Sequence, residues 1–188
     1  EQSIFAVAGR LKMHSSPSKT SADQPMLRGL VFAKYGDLAA STRQRFLQAV
    51  PYLGEQDIVL EISPLFDNAY LSQLFTKGTR SKLRMLKAYL QRFGRLLKCR
   101  EYDFILVQYE LFPYLPFFER LLYLTRKPVF IDMDDAIFHQ YDHHKSWLVR
   151  ALLGKKLVPL LKRANMTFCG NAYLETYAKR YCKRTAII

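Results

Sequence analysis

The chain has 188 residues, of which 49% are hydrophobic and 14% aromatic, a composition typical of a globular rather than a disordered protein. Its net charge of +13 predicts an anionic partner: nucleic acid, an acidic membrane surface or a phosphorylated ligand. No apolar run approaches the ~18 residues that a membrane span needs, and residues 4–8 are too short for a signal-peptide core. The three cysteines are odd in number and lack metal-ligand spacing, which fits a reducing compartment. These features predict a cytoplasmic protein.

Composition divides the chain near residue 26. Residues 14–25 are rich in Ser, Pro and Lys with little apolar content, so residues 1–25 are expected to be a disordered or non-native leader. Residues 26–188 have the length of one domain with a proper core. The last predicted strand runs to the final residue, so we expect a domain that is truncated before a further one.

From Leu27 onward the pattern alternates strand and helix. Aliphatic runs predict strands at residues 30–33, 57–62, 104–107, 129–131, 166–169 and 186–188. Helical periodicity predicts helices at 41–53 (capped by Ser41 or Thr42), 68–75, 81–98, 113–124, somewhere within 146–163, and 172–181. Strands separated by crossover helices predict an α/β fold with a doubly wound, mostly parallel sheet of about six strands.

The most informative stretch is residues 128–138, P-V-F-I-D-M-D-D-A-I-F. A buried strand ends there in three acids within four positions, Asp132, Asp134 and Asp135. Carboxylates at the carboxyl end of a parallel strand lie where open α/β sheets bind their ligands. An Asp can also cap the following helix, but one cap needs only one acid. We therefore expect at least one of the three to be functional.

Parallel strands bring the turns that follow them to one edge of the sheet. These turns are Tyr35-Gly36-Asp37, Ser63-Pro64, Tyr109-Glu110, Asp134-Asp135 and Gly170-Asn171. Each turn alone is compatible with ordinary turn or cap chemistry, but together they predict a ligand crevice. Gly36 would let the backbone approach a ligand closely, and the helix after it could present N–H groups to phosphate.

Two family resemblances centre on the acids alone. Asp132-Met133-Asp134 resembles the DxD motif of metal-dependent, single-domain glycosyltransferases, in which two carboxylates bind a divalent cation on a nucleotide diphosphate. Residues 130–136 resemble the first motif of haloacid-dehalogenase-type phosphatases, with Asp132 as nucleophile and Asp134 as acid/base. That motif normally opens its domain, with a Lys and an acidic pair far downstream. Here about fifty residues follow, and they contain only two acids, Asp142 and Glu175.

A third resemblance covers residues 27–67, 103–138 and 164–188. These stretches resemble the N-terminal, acceptor-side domain of GT-B-type glycosyltransferases of the glycogen-synthase-like retaining branch, which includes the bacterial group 1 (family 4) enzymes. The resemblance lies in the glycine turn followed by S-T-R-Q-R at 41–45, Y-D-F-I-L-V-Q-Y-E at 102–110, P-V-F-I-D-M-D-D-A at 128–136 and K-R-A-N-M-T-F-C-G-N-A-Y-L at 162–174. The order and spacing of these motifs match the family.

The resemblance implies half of a GT-B fold and transfer of a sugar, with retention, from a nucleotide-sugar donor to a lipid-linked or polysaccharide acceptor of the cell envelope. Asp134 and Asp135 would be catalytic, orienting the acceptor hydroxyl or stabilising positive charge on the sugar, whereas Asp132 would be structural. The implied substrate-binding residues are Gly36, Asp37, Ser41, Arg43, Tyr109, Glu110 and Asn171. No metal or other cofactor is expected. The nucleotide pocket would belong to a C-terminal domain, so this fragment alone is expected to be inactive.

Two stretches, 80–100 and 145–163, are basic and contain no acid. In the first, five apolar residues at three- and four-residue spacing predict a helix face buried on the sheet: Leu83, Leu86, Leu90, Phe93 and Leu97. A solvated helix explains part of the charge, but the excess predicts contact with an anionic membrane. The contact residues would be Arg80, Arg84, Lys87, Arg95 and Lys98. We expect a peripheral enzyme at the inner face of the plasma membrane.

A non-enzymatic basic module that binds nucleic acid or anionic membrane is the remaining alternative. We expect no nucleic-acid binding, because aromatic residues such as Phe117 and Tyr123 do not alternate with basic residues as a stacking surface would. His139, His143 and Asp135 would share a helix face at four-residue spacing, which permits a metal site. No cysteine or carboxylate elsewhere completes such a site, so the sequence favours a surface cluster without metal.

Overall fold

The computed structural model describes residues 26–77 and 82–188, so the predicted leader, residues 1–25, lies outside the described residues. The sheet contains β1 (Leu27–Tyr35), β2 (Ile58–Phe66), β3 (Phe104–Gln108), β4 (Val129–Met133), β5 (Met166–Cys169) and β6 (Thr185–Ile187). Neighbouring strands pair in parallel in the order β2-β1-β3-β4-β5-β6. This confirms the predicted α/β fold, an open Rossmann-like sheet of six parallel strands.

Short helices connect the strands. They are α1 (Ala40–Arg45), α2 (Val50–Gly54), α3 (Asn68–Lys77), α4 (Lys82–Leu97), α5 (His139–Asp142), α6 (Trp147–Leu153), α7 (Val158–Arg163) and α8 (Ala172–Lys179). Segments of 3₁₀ helix add Leu47–Ala49, Lys98–Glu101 and Phe118–Leu124. Among the described helices, none is both long enough and apolar enough to cross a bilayer.

The sheet has a separate apolar core on each face, because successive strand residues point to opposite sides. On one face, strand residues such as Phe32 and Ile131 pack with Leu96 of α4, Leu160 of α7 and Leu174 of α8. On the other face, Val31, Ala33, Phe104, Leu106, Phe130 and Phe168 pack with residues of the β1–β2 connection, Phe46 and Leu53. The central strands β3 and β4 are buried along their whole length, as expected for strands covered on both faces.

This topology places a switch point between β1 and β3. The chain leaves β1 toward β2 on one face of the sheet, and then returns past β1 to β3 through α4 on the other face. In open parallel sheets, the connections at such a point diverge and leave a crevice outside the carboxyl ends of the strands. The turns after β1, β3 and β4 therefore border the expected ligand site.

Two predicted helices are wrong in extent. The helix predicted at 41–53 is broken into α1, a 3₁₀ turn and α2, because Pro51 has no N–H to bond the carbonyl of Leu47. Ser41 does not cap it: Ala39 occupies the cap position without a side-chain bond, and the Thr42 hydroxyl instead donates to the carbonyl of Tyr35 (2.9 Å). The helix predicted at 113–124 is reduced to Phe118–Leu124, because residue 117 lies in the left-handed region (φ 68°).

The end of β2 also differs from the prediction. The strand continues through Ser63 and Pro64 to Phe66 instead of stopping at residue 62. β2 pairs only with β1, so it is an edge strand, and an edge strand accepts a proline that cannot donate to a ladder.

The predicted orientation of α4 is wrong. The face that packs on the sheet carries Met85, Tyr89, Arg92 and Leu96, whereas the five apolar residues predicted to be buried are 39–77% exposed. Arg92 is only 2% exposed. Its Nη2 donates to the carbonyls of Ala33 (2.6 Å) and Ser63 (3.0 Å). The Tyr89 hydroxyl donates to the carbonyl of Pro113 (2.7 Å). Each polar tip thus finds at least one carbonyl partner, although Nε and Nη1 of Arg92 are buried without one.

Candidate functional site

The turn after β1 is fastened to the start of α3. The Asn68 side-chain amide donates to the carboxylate of Asp37, and the backbone N–H of Leu38 donates to Asn68 Oδ1 (3.3 Å). A Cβ at residue 36 would collide with that same amide, so glycine is needed there for the close approach of Asn68. The predicted close approach of a ligand to Gly36 stays a prediction.

Arg43 and Ser41 lie on α1, directly after this turn. Arg43 Nη1 donates to the carbonyls of Asp37 (2.9 Å) and Leu38 (2.7 Å), so this exposed arginine holds the turn in place. Ser41 is half-buried. The structure thus brings the predicted residues Gly36, Asp37, Ser41 and Arg43 together on one side of the switch point, and their binding of substrate stays a prediction.

Tyr109 begins the turn after β3 with a strained backbone. Its φ is 62°, and the N–H of Glu110 donates to the carbonyl of Gln108 (2.8 Å) across it, which closes a γ-turn. This form of γ-turn is rare, and non-glycine residues held in the left-handed region cluster at functional sites. The Tyr109 hydroxyl donates to Oδ2 of Asp134 (2.9 Å). Burial, and then the charge of Asp134, raise the pKa of Tyr109 above its ordinary value, so the hydroxyl keeps the proton that it donates.

The two predicted catalytic acids follow β4 at the carboxyl edge of the sheet. Asp134 is half-buried and Asp135 is exposed. The turn after β5 closes against them: Gly170 donates its N–H to the carbonyl of Met133 (2.8 Å), and a Cβ on Gly170 would lie 3.3 Å from Cα of Asp134. Asn171 caps α8 through its side-chain oxygen, which accepts from the N–H of Leu174 (3.0 Å). Asp134 and Asp135 thus form an open carboxylate pair on a backbone that the turn after β5 holds in place.

Asp132 is not part of that open pair. It is 3% exposed, and Arg45 Nε donates to both carboxylate oxygens at 3.1 Å while Nη2 adds a third bond. Burial raises the pKa of Asp132, and the hydrogen bond and charge of Arg45 oppose that rise. Arg45 escaped the sequence analysis. Its signal was available, since Arg45 lies beside the inward-facing Thr42 and Phe46, and a cation on a buried helix side needs a buried carboxylate.

Glu110 lies in a second, sealed group of charges. Lys156 Nζ lies 2.6 Å from Glu110 Oε2 and 2.5 Å from Glu119 Oε1, and these three side chains are at most 1% exposed. The Tyr141 hydroxyl donates to Glu110 (2.7 Å), and Glu119 accepts the backbone N–H of Leu111 (3.0 Å). Burial raises the pKa of Glu119 against the opposing effect of Lys156. Glu110 therefore presents no open surface to a substrate, and its visible role is to anchor the loop after β3.

The histidine cluster forms with a different acid from the one predicted. His139 Nδ1 lies 2.9 Å from Asp142 Oδ1, and the rings of His139 and His143 stack at 4.0 Å between centroids. The ligand atoms of these three residues lie within 4.8 Å of one another, so they could hold a metal ion. His139 Nε2 also lies 2.5 Å from the hydroxyl of Tyr173. Asp135 does not join this group in the described part of the chain.

The predicted membrane-contact cations have different surroundings. Arg84, Lys87 and Lys98 are exposed on or just after α4, whereas Arg95 pairs with Glu61 of the edge strand. Arg80 lies outside the described residues. In the second basic stretch, Lys156 is buried in the sealed group, so it adds nothing to the surface charge.

Comparison of the sequence with models of known protein families and with characterised proteins finds no match. A function for this chain has to be argued from its own residues and their geometry.

Proposed function

We propose that this chain is the acceptor-side domain of a glycosyltransferase, which transfers a sugar from a nucleotide-sugar donor to a glycan or lipid-linked acceptor of the cell envelope. The observation that carries the proposal is the position of Asp134. It lies at the carboxyl end of β4, near the switch point of a parallel sheet, and the hydroxyl of Tyr109 donates to its carboxylate at 2.9 Å. Asp135, the next residue, is exposed to the same edge.

A carboxylate in this position suits sugar transfer in two ways. It can accept a hydrogen bond from the acceptor hydroxyl and so orient the attacking oxygen. It can also stabilise the positive charge that develops on the transferred sugar. Because Tyr109 already donates to Asp134, the carboxylate is oriented before a substrate binds. Arg45 neutralises the neighbouring Asp132, which limits the repulsion between the two acids.

The turn after β1 supplies the opposite side of the proposed site. Gly36 and Asp37 lie in a turn fixed by Asn68 and Arg43, and β1 is the direct neighbour of β3, which is followed by Tyr109. A sugar between these turns would meet backbone and carboxylate groups from both sides. In this proposal the nucleotide is bound mainly by a further C-terminal domain, and no metal is needed.

Asp132 argues against the phosphatase alternative. A nucleophilic carboxylate must reach the phosphorus of its substrate, but Asp132 is 3% exposed and receives hydrogen bonds from Arg45 on both oxygens. The same pairing argues against a metal held jointly by Asp132 and Asp134 in the manner of a DxD motif.

The test is a transfer assay with the full-length protein that contains this chain, a panel of nucleotide-sugars and envelope-type acceptors. We expect release of a nucleoside diphosphate that depends on acceptor. The substitution Asp134→Asn should lower kcat by about 10²–10³, because it removes negative charge at the reacting centre. Lys155→Met, a substitution at an exposed residue, is the control for expression and folding.

Two results would contradict the proposal. One is unchanged transfer by Asp134→Asn. The other is an absence of transfer together with hydrolysis of p-nitrophenyl phosphate that Asp134→Asn abolishes, which would favour the phosphatase alternative.

A further inference from the structure

The outer surface of α4 carries a continuous row of large apolar side chains. We call this row the leucine stripe; it consists of Leu83 (77% exposed), Leu86 (56%), Leu90 (64%), Phe93 (39%) and Leu97 (69%). The spacing of three, four, three and four residues places all five on one side of the helix. At a rise of ~1.5 Å per residue the row is roughly 21 Å long. Contiguous apolar surface of this kind marks an interaction site on a folded protein.

From this row we propose that α4 docks on an anionic lipid bilayer, with the leucine stripe inserted among the acyl chains at the level of the headgroups. The proposal is independent of the proposed sugar transfer. It names lipid as the occupant because of the charge on the same helix and on the 3₁₀ segment that follows it, Lys98–Glu101. No acid occurs from residue 82 to residue 100, and Arg84, Lys87, Lys98 and Arg100 are exposed.

The cations and the stripe lie side by side on the outer surface of α4. Residues advance by ~100° per position in an α-helix, so Lys87 falls next to the stripe on the side away from the packed face, and Lys98 follows directly after the last stripe residue, Leu97. An apolar row with adjacent Lys and Arg is the arrangement of helices that lie in a membrane interface. Each such cation near an anionic surface contributes up to ~1 kcal/mol of attraction.

A second copy of the chain fits this surface less well than lipid does. Pairing two α4 helices through their stripes would bring two columns of positive charge together, with no acid on α4 to compensate. Like charges facing each other across an interface disfavour the pairing.

The helix is already ordered for docking. Arg92 and Tyr89 fasten its inner face to the sheet and to the loop after β3 through the carbonyls of Ala33, Ser63 and Pro113. Binding would therefore carry little of the ordering cost that a disordered segment has to meet. Arg95 contributes to this fastening as well, since it pairs with Glu61 of β2.

Vesicle flotation with the 188-residue chain tests the proposal. We expect binding to vesicles of phosphatidylcholine with phosphatidylglycerol and weak binding to phosphatidylcholine alone. The pair Leu86→Gln and Leu90→Gln should lower the partition coefficient by at least about tenfold, because two apolar side chains are lost from the inserted row. The pair Lys87→Glu and Lys98→Glu should also lower the partition coefficient, and this decrease should be larger at low salt than at high salt.

A matched control lies on the other face of the sheet. Leu47 and Val50 belong to the β1–β2 connection and are 36% and 37% exposed, so Leu47→Gln with Val50→Gln makes a similar chemical change away from α4. This pair should leave vesicle binding unchanged. Melting curves of all variants identify any that fail to fold.

Insertion can also be observed directly. The native cysteines are buried, and burial raises the pKa of Cys99 and of Cys169 to about 12, so an added surface cysteine can be labelled selectively. An environment-sensitive fluorophore on Leu90→Cys should shift to the blue on anionic vesicles and be quenched by brominated lipid. The same label on Leu47→Cys should show neither change.

Three results would overturn the proposal. The first is no binding of the unsubstituted chain to anionic vesicles at low salt. The second is binding that survives Leu86→Gln with Leu90→Gln, which would mean adsorption by charge alone. The third is a dimer or a protein complex that depends on the stripe in the absence of vesicle binding, which would assign the surface to a protein partner.

Discussion

Two groups of acids lie at neighbouring strand ends and differ in their exposure. The sealed group, Glu110 and Glu119 around Lys156, has side chains that are at most 1% exposed. The open group consists of Asp134 and Asp135 with Tyr109, which donates to Asp134. Tyr109 and Glu110 are adjacent in the chain, and yet they belong to different groups, because the strained γ-turn at Tyr109 redirects the backbone between them.

The comparison shows which carboxylates are available for chemistry. Desolvating two carboxylates is costly unless a cation and further hydrogen bonds compensate, and the sealed group supplies Lys156, Tyr141 and backbone N–H groups for that purpose. Its acids are therefore committed to holding the loop after β3. The open acids have a hydroxyl donor and a solvent-facing side, which leaves them able to meet a substrate.

The largest effect is expected from Lys156→Met, which leaves two buried carboxylates without their cation. Breaking a buried charge network by removing one partner costs about 3–5 kcal/mol of unfolding free energy. Urea denaturation measures the loss, and Lys155→Met, at the exposed neighbouring residue, should leave stability unchanged. A loss below about 1 kcal/mol would show that the sealed group is not held by this lysine.

Arg45→Met tests whether Asp132 belongs with the sealed acids. The guanidinium is 17% exposed and Asp132 is nearly buried, so we expect a loss of about 3 kcal/mol, at the lower end of the range for a buried pair. Adding Asp132→Asn should recover part of that loss, because it removes the unpaired charge. Gln44→Met is the control on the exposed side of α1. If Asp132→Asn brings no recovery, the pair is not the source of the effect.

Tyr109→Phe tests the open group with a smaller change. Loss of one hydrogen bond to a carboxylate should lower stability by about 1 kcal/mol, since solvent can replace the donor at Asp134. If Asp134 acts in transfer, kcat should fall by about tenfold, because its orientation is no longer fixed. Tyr173→Phe, which removes a hydroxyl beside His139, should leave kcat unchanged. A loss of stability as large as that expected for Lys156→Met would show that the open group is as structural as the sealed group.

The smallest stability effect is expected at Asp135. Because its side chain is exposed, Asp135→Asn should leave the melting temperature unchanged while lowering transfer by the full-length protein. A clear change in melting temperature would place Asp135 in a structural role and leave Asp134 as the only candidate acid of the open group.

The sequence was sufficient to find the six strands along the chain and to place the turns after them at one edge of the sheet. Runs such as 129–131 are apolar without interruption, and the polar residues that follow them must meet at the carboxyl edge of a parallel sheet. The orientation of α4 could not be obtained in the same way, because both Leu86 with Leu90 and Tyr89 with Leu96 fit a helical period. Only the carbonyls of Ala33 and Ser63, which belong to distant strands, decide that Arg92 turns inward.

Buried cations were the other source of error. A lysine in a basic run, such as Lys156, is normally solvated, and its burial depends on Glu110 and Glu119, which lie at least 37 residues away in the chain. Arg45 likewise depends on Asp132, which is 87 residues away. Sequence patterns report on neighbouring positions, so they can suggest that Arg45 faces inward, but the acid that pairs with it is visible only in the folded structure.

Residue 170 is a glycine, and its lack of a side chain fixes how closely the turn after β5 approaches the turn after β4. Gly170 passes so close to Asp134 that even a methyl group would sit 3.3 Å from its Cα. Any larger residue would push the β4 turn outward and move both open carboxylates relative to Tyr109. Substitution at position 170 is therefore a way to change the spacing between Tyr109 and the open carboxylates without altering any of those residues.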